Sequence, residues 1–374
     1  MIRTFRYPLR LNAQEEVGLD EIRLACQRLY NAALEQRRDA YRKQGKTVSR
    51  YDQQKELTEL RAVDEIYGSI SPRVLRSSLN RLDRAYQAFF RRLKSGQKPG
   101  FPRFRARDRY DSFSFPLPVI KGNLLTIPSF GKLRLHLYRP LKGTPKETHI
   151  QKTVNGWYAS IVCDLGEAPP KTEIKTSTGI DVGLNTFAVF ADGSEVENPR
   201  FFRKSEALLA ERQRKLSRKR KGSTSRKRAK RLVAKTHLHT SNQRLDFARK
   251  LAKEVISKFD LVAIEDLNIK GMVRALNMAK SVNDAAWGLL AACLNFKAEE
   301  AGKTIVAVDP RGTSQRCSHC GETVKKTLSE REHRCPHCGL VLGRDHNAAR
   351  NILSLGLSEV SRSVGKPAEL AEAC

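Results

Sequence analysis

The sequence predicts a multidomain α+β protein: an N-terminal helical domain with a small β-barrel, then an α/β domain carrying insertions. Three observations predict it. Apolar residues recur three and four apart from Leu19 to Ala33 and again from Val74 to Phe89, which marks one buried face on each of two helices. They alternate with polar residues around Leu133, Leu135 and Leu137, the period of a half-buried strand. After residue 178, three short apolar runs each carry an acid.

Residues 1–11 alternate like a short strand. Leu19, Ile22, Cys26, Leu29 and Ala33 place a first helix against a core, and Ser71-Pro72 opens a second, because proline fits the first helical position, where its missing N–H costs nothing. With their many arginines these helices make residues 12–116 a helical recognition domain that ends in a basic linker. In that linker Arg103 and Arg105 interleave with Phe101, Phe104 and Tyr110. Such a segment can neutralise phosphates and stack on bases, or its rings can tuck against a neighbouring domain. From 117 to 165 the period is two, and Asn155-Gly156 is a hairpin turn. Residues 1–11 plus 117–165 are expected to form the barrel. A polar linker, 166–177, leads to the last domain, expected over 178–355 with a tail at 356–374.

Seventy Lys and Arg against forty Asp and Glu give a formal charge of +30. That surplus repels itself unless a polyanion neutralises it, and nucleic acid is the natural counterion. A basic protein with a merely solvated surface is the blander reading. No apolar run is long enough for a bilayer, and MIRTFRYPLRL has no signal-like apolar block, so no membrane partner and a cytoplasmic location are expected. Cys26, Cys163, Cys293 and Cys374 are scattered, unlike a disulfide framework. Cys317, Cys320, Cys335 and Cys338 form two C-x2-C pairs, 14 residues apart, with Gly321 and Gly339 beside them. Four thiolates suit a closed, structural Zn2+ site. His319 and His337 lie within the turns and are expected to face solvent.

The acids carry the chemistry. Asp181 sits between Ile180 and Val182, Glu265 ends LVAIE, Asp309 follows TIVAV, and Asp345 opens the helical run DHNAARNIL. An acid in an apolar strand is costly unless something compensates its charge. Acids from distant points that converge on one sheet edge can hold a pair of divalent cations. Asp266 would point to the face opposite Glu265, while Asp284 and Asp309 read as structural. Residues 203–231 hold fourteen basic residues against Glu206 and Glu211. Broken at Gly222-Ser223, this stretch is expected to be a helical hairpin within an insertion at 203–245. Its Arg212, Lys215, Arg218, Lys219, Arg220, Lys221, Arg226, Lys227 and Arg228 are the expected backbone contacts to nucleic acid, with Arg103 and Arg105. A solvated face or a localisation signal are the alternatives.

GIDVGLNTFAVFADG, AIEDLNIKGM, TSQRCSHCG and RDHNAARNIL, in that order, resemble TnpB, the transposon-encoded OrfB-type proteins related to type V CRISPR effector nucleases. KPGFPRF and AKSVNDAAWG are similar too, and Gly343 departs from the acid many relatives carry there. The resemblance implies a RuvC-like, RNase H-fold domain with an inserted zinc ribbon (313–342) and an RNA-guided DNA endonuclease with Mg2+ or Mn2+ at the nuclease site. Carried residue by residue, it puts the catalytic triad on Asp181, Glu265 and Asp345. It also implies a guide RNA, a double-stranded DNA target and a home in the prokaryotic cytosol or nucleoid. One copy per RNA is expected, with a dimer as the open alternative. The rival readings are a nuclease or transposase of the same fold acting without RNA, and a zinc-ribbon regulator with no activity.

Overall fold

The computed structural model describes residues 1–275, 279–327 and 330–364, and the chain divides into two compact units, Met1–Glu167 and Ala168–Cys374. Unit 1 begins with strand β1 (Ile2–Arg10) and helix α1 (Ala13–Gln44). Asn12 starts the helix through a reciprocal cap: its side chain accepts from Glu15 N, and the Glu15 carboxylate accepts from Asn12 N, each at 2.8 Å. Helices α2 (Arg50–Val63) and α3 (Glu65–Ser69) follow, then α4 (Pro72–Lys94) with proline in its first turn. Only Gln53 and Leu57 of α2 are buried, so its sequence carries little periodicity.

The remaining strands of the unit are β2 (Ser112–Pro116), β3 (Val119–Lys121), β4 (Leu124–Ile127), β5 (Gly131–Leu135), β6 (Thr144–Thr153) and β7 (Gly156–Asp164). With β1 they form one antiparallel sheet in the order β2-β6-β7-β1-β5-β4-β3. This order has two ends, and among the described residues no pairing joins β2 to β3, but only Leu117 and Pro118 separate these strands, so the sheet curls back on itself like the expected barrel with one unpaired seam. The strand at 112–116 also belongs to the sheet, whereas the expected boundary left it in the linker. Helices and sheet share one core, in which Leu19, Cys26, Leu75 and Leu79 pack with Phe5, Tyr7, Phe113 and Ile161. The expected linker is fastened down. Asn31 bonds both the N–H and the carbonyl of Arg105, and Arg23 donates to the carbonyls of Arg107 and Tyr110. Tyr110 is buried while Phe101 and Phe104 stay half-exposed.

Unit 2 opens with β8 (Ser177–Val182), β9 (Thr186–Phe190) and β10 (Glu195–Glu197). A helical hairpin follows, α5 (Phe201–Ser217) and α6 (Thr224–Lys258), with Ser223 capping the second helix. Then come β11 (Leu261–Glu265), α7 (Ile269–Ala275), α8 (Ala279–Ala285), α9 (Trp287–Ala301) and β12 (Thr304–Val308). A small hairpin, β13 (Glu332–Arg334) and β14 (Val341–Gly343), precedes α10 (Arg344–Val364). The main sheet has the order β10-β9-β8-β11-β12. The strands β8, β11 and β12 are parallel, and β9 and β10 turn back antiparallel.

Helix α6 does not stop at the expected insertion boundary of 245. It runs on to Lys258 and buries Ala248, Leu251, Ala252 and Val255, so the basic arm and a core helix are one rod. Likewise α10 continues to Val364 through the first nine residues of the expected tail, whose residues 365–374 lie outside those described. Among the described residues no helix is long and apolar enough to cross a membrane.

The sheet is covered on both faces. Ile180, Val262 and Ile264 meet α6 and α9, while Ala263 and Val308 meet Ile352 of α10. That second contact is close because Gly179 has no side chain: a Cβ there would strike the Ala349 carbonyl and the backbone of Leu353. Both obstacles are main chain and cannot swing aside. Gly179→Ala should therefore destabilise unit 2 by about 1–3 kcal/mol, the usual cost of overpacking, seen as a lower thermal midpoint; an unchanged midpoint would refute the close contact.

Candidate active site and metal centre

Parallel pairing of Ile180 with Ile264 sets the next residues, Asp181 and Glu265, level on adjacent strand ends. Asp345 arrives from elsewhere, in the first turn of α10, which the contact at Gly179 lays across β8. Burial, then the negative charges of Glu265 and Asp345, push the Asp181 carboxyl up to about 8, against the pull of Arg344 and the Val182 N–H. Burial also raises Glu265, moderated by the Thr313 hydroxyl, which donates to its Oε1 at 2.6 Å. Arg344 Nε lies 3.1 Å from Asp345 Oδ1. Asp181 thus feels the charge of both other acids, although among the described residues only the four cysteines gather ligand atoms within 4.8 Å of one another.

The competing acids have other employment. Asp284 is buried and accepts from Phe202 N at 2.8 Å and Arg203 N at 3.2 Å, closing the start of α5. It also pairs with Arg244 at 2.8 Å, tying α6 to α8. Asp309 accepts from Arg311 N at 3.0 Å in a turn, and Asp266 is exposed at the end of β11.

Sequence reasoning missed the residues that hold the acids in place. Asn351 Nδ2 donates to the carbonyls of Thr313 and Arg316 at 2.8 and 2.7 Å. Asn347 donates to the Arg316 carbonyl at 2.7 Å and accepts from Ser318 N at 2.9 Å. Both amides are buried, so α10 grips the segment that presents Thr313 to Glu265 and leads into the cysteine turns. The signal was there to read: two amides at i and i+4 beside Ala348, Ala349 and Ile352 share a buried face, where polar groups need partners.

In the ribbon the two C-x2-C turns match. Gly321 N donates to the Cys317 carbonyl and Gly339 N to the Cys335 carbonyl, each at 3.0 Å, with both glycines at positive φ. Cys317 and Cys338 sulfurs are 3.6 Å apart, as are those of Cys320 and Cys335. Burial would raise the Cys317 thiol, but backbone N–H groups of Cys320 and His319, with His333 and Cys338, bring it down to about 5. This closed set of four sulfurs could hold zinc, and neither His319 nor His337 is part of it.

The basic arm divides by orientation. Arg212 turns inward to Thr236 Oγ1 and the Leu232 carbonyl, and Arg226 to the carbonyls of Leu216 and Lys219. These two bolt the hairpin together. Lys215, Arg218, Lys219, Arg220, Lys221, Lys227 and Arg228 are exposed, as are Arg103 and Arg105 in unit 1.

Residues 160–276 match the OrfB/IS605 family, described as "Probable transposase", and 287–352 match the Cas12f1-like TNB domain. A Streptomyces pristinaespiralis protein named for RNA-guided DNA endonuclease activity is 31% identical over 372 residues, covering 95% of this chain and 90% of that one. InsQ of Escherichia coli K12, named for the same activity, is 30% identical over 381 residues, covering 95% and 92%. The fold is similar to that of Cas12f1 solved with single-guide RNA and target DNA, at 13% identity and a TM-score of 0.60, over 94% of this chain and 98% of that one. Two relatives at this identity, each aligned over nearly its whole length, decide the matter: the chain belongs to the TnpB family of OrfB-type transposon proteins.

Proposed function

We propose that this protein is an RNA-guided DNA endonuclease whose unit 2 is a RuvC-like, RNase H-fold nuclease domain. The observation that carries the reading is the meeting of Asp181, Glu265 and Asp345, from two strand ends and a helix start, with Asp181 displaced to about 8 by burial and by the other two. The order of strands in the sheet and the relatives' names support it.

The donor set fits Mg2+ or Mn2+. Three carboxylates are hard oxygen ligands, and a buried acid between two others is stabilised by added positive charge. In this reading Asp181, Glu265 and Asp345 hold two such ions, which supply an activated water and stabilise the leaving oxygen of a phosphodiester. The chain's own part is placement. The apolar strands keep Asp181 from bulk water, Thr313 orients Glu265, and Arg344 steadies Asp345. Zinc on Cys317, Cys320, Cys335 and Cys338 stiffens the ribbon, and Asn347 and Asn351 pass that rigidity to the acids. The exposed cations of the α5–α6 hairpin take the RNA backbone, and guide pairing supplies sequence choice while protein contacts stay with shape and a short flanking motif.

Protein carrying its co-purified RNA should cut a matching plasmid in Mg2+. Asp181→Ala should abolish cutting and keep RNA-dependent DNA binding; equal cutting by the variant would remove the site assignment. Cutting that survives RNase treatment before target addition would favour the RNA-free nuclease, and no cutting in any metal the inactive regulator.

The raised Asp181 has a consequence for stability. Its folded value, about 8, lies above the ordinary 3.8, so the protonated form is favoured in the fold. The contribution is present below about pH 4 and lost as pH rises through about 8. In metal-free protein the melting temperature should fall less over that range for Asp181→Asn than for wild type. Identical slopes would contradict the buried, like-charged setting.

Thr313→Val removes the hydroxyl on Glu265 and nothing from the ribbon. Cleavage should slow by about 10–100-fold, as for lost outer-shell partners, with one zinc per chain retained by elemental analysis. A full cleavage rate would deny Thr313 its orienting role.

A further inference from the structure

We infer that unit 1 carries a stacking groove for unpaired RNA nucleotides, lined by residues of unit 1 alone. The groove lies between the end of α1, the start of α2 and the last turns of α4, and encloses about 1040 Å3. That is at the top of the roughly 300–1,000 Å3 usual for small-ligand pockets, enough for more than one base. Tyr41 and Tyr51 line it at 69% and 64% exposure, with Phe90 and Phe101 half-exposed. Behind them Tyr86 stacks on Phe90 at 6.3 Å and meets Phe101 edge-on at 5.7 Å, a fixed aromatic floor. Large exposed rings are unfavourable in water, so a patch of them marks an interaction surface.

The rim is cationic: Arg38, Arg42, Lys46 and Arg50. Behind the rim Arg37 is held by Gln53 and Asp83 and lies over the Tyr86 ring at 5.3 Å, which fixes the aromatic floor in place. Cations around aromatic faces are the pattern for single-stranded nucleic acid, whose bases stack while phosphates meet the rim. A second copy fits poorly, since a twofold contact would set this basic rim against itself. RNA fits better than DNA because Thr47, also lining the groove, offers a hydroxyl to a 2′-OH, the group that DNA lacks. The inference rests on the chain being an RNA-binding nuclease.

The test uses full-length protein stripped of nucleic acid and three fluorescein-labelled probes read by anisotropy: a U12 RNA, the matching dT12, and an RNA hairpin duplex. The Tyr41→Ala, Tyr51→Ala pair is expected to lose about tenfold or more in affinity for U12, stacking being sequence-tolerant. Duplex binding and the salt dependence should hardly change. The Tyr41→Phe, Tyr51→Phe pair keeps both rings and should bind as wild type, which separates stacking from misfolding; Phe90→Ala should repeat the loss. No loss for U12, equal loss for the duplex, or equal loss for dT12 would each overturn the proposal. So would wild-type dimers that the alanine pair converts to monomers in sedimentation, which would hand the groove to a second copy. Plasmid cutting and co-purified RNA are scored separately in wild type, so failure of the nuclease reading and failure of the groove show in different measurements.

Discussion

A carboxylate held in an apolar strand between two further carboxylates is disfavoured by folding twice over, once by lost hydration and once by like-charge repulsion. Unit 2 is arranged around that burden at Asp181. The parallel pairing of β8 with β11 sets Glu265 beside it, and α10 lies close enough to β8 to bring Asp345. None of these contacts is local in the chain. An arrangement that costs stability persists where the rest of the fold over-determines it, and such sites are where function is sought.

The cysteine turns and the acids are one mechanical system. Four sulfurs close the ribbon, Asn347 and Asn351 of α10 grip its entry, and Thr313 within that entry holds Glu265. The same helix that carries Asp345 therefore also sets Glu265 on β11, the strand next to β8. A ribbon of this kind has few apolar residues, so four sulfurs able to hold a metal and the amide bolts from α10 matter more than its packing.

Unit 1 solves a different problem. Its helices and its sheet share one apolar core, and the arginines are left for the outside. Some of that positive charge is spent on structure. Arg23 fastens the 105–110 segment and Arg37 spans α1, α2 and α4, much as Arg212 and Arg226 close the hairpin in unit 2. A basic residue in a run is thus no guide to its own partner; orientation decides which cations face solvent.

Periodicity and turn chemistry are local, so the sequence by itself determined the two long helices of unit 1, the alternating strands, the hairpin break at Gly222-Ser223 and the paired cysteine turns. Acids in apolar runs drew attention to Asp181 and Glu265 but equally to Asp309, which accepts from Arg311 N in a turn; the set Asp181, Glu265, Asp345 came from the family resemblance. Tertiary structure alone decided what depended on pairing at a distance. The order of the small sheet was set by pairings far apart in the chain, β1 with β5 and with β7, and the unpaired seam between β2 and β3 could not be read from alternation. Helix α2 was hidden because one apolar side chain, Leu57, carries its burial. Thr313, Asn347 and Asn351 look ordinary until the fold buries them, and Arg212 looks like Arg218 until the hairpin turns one inward.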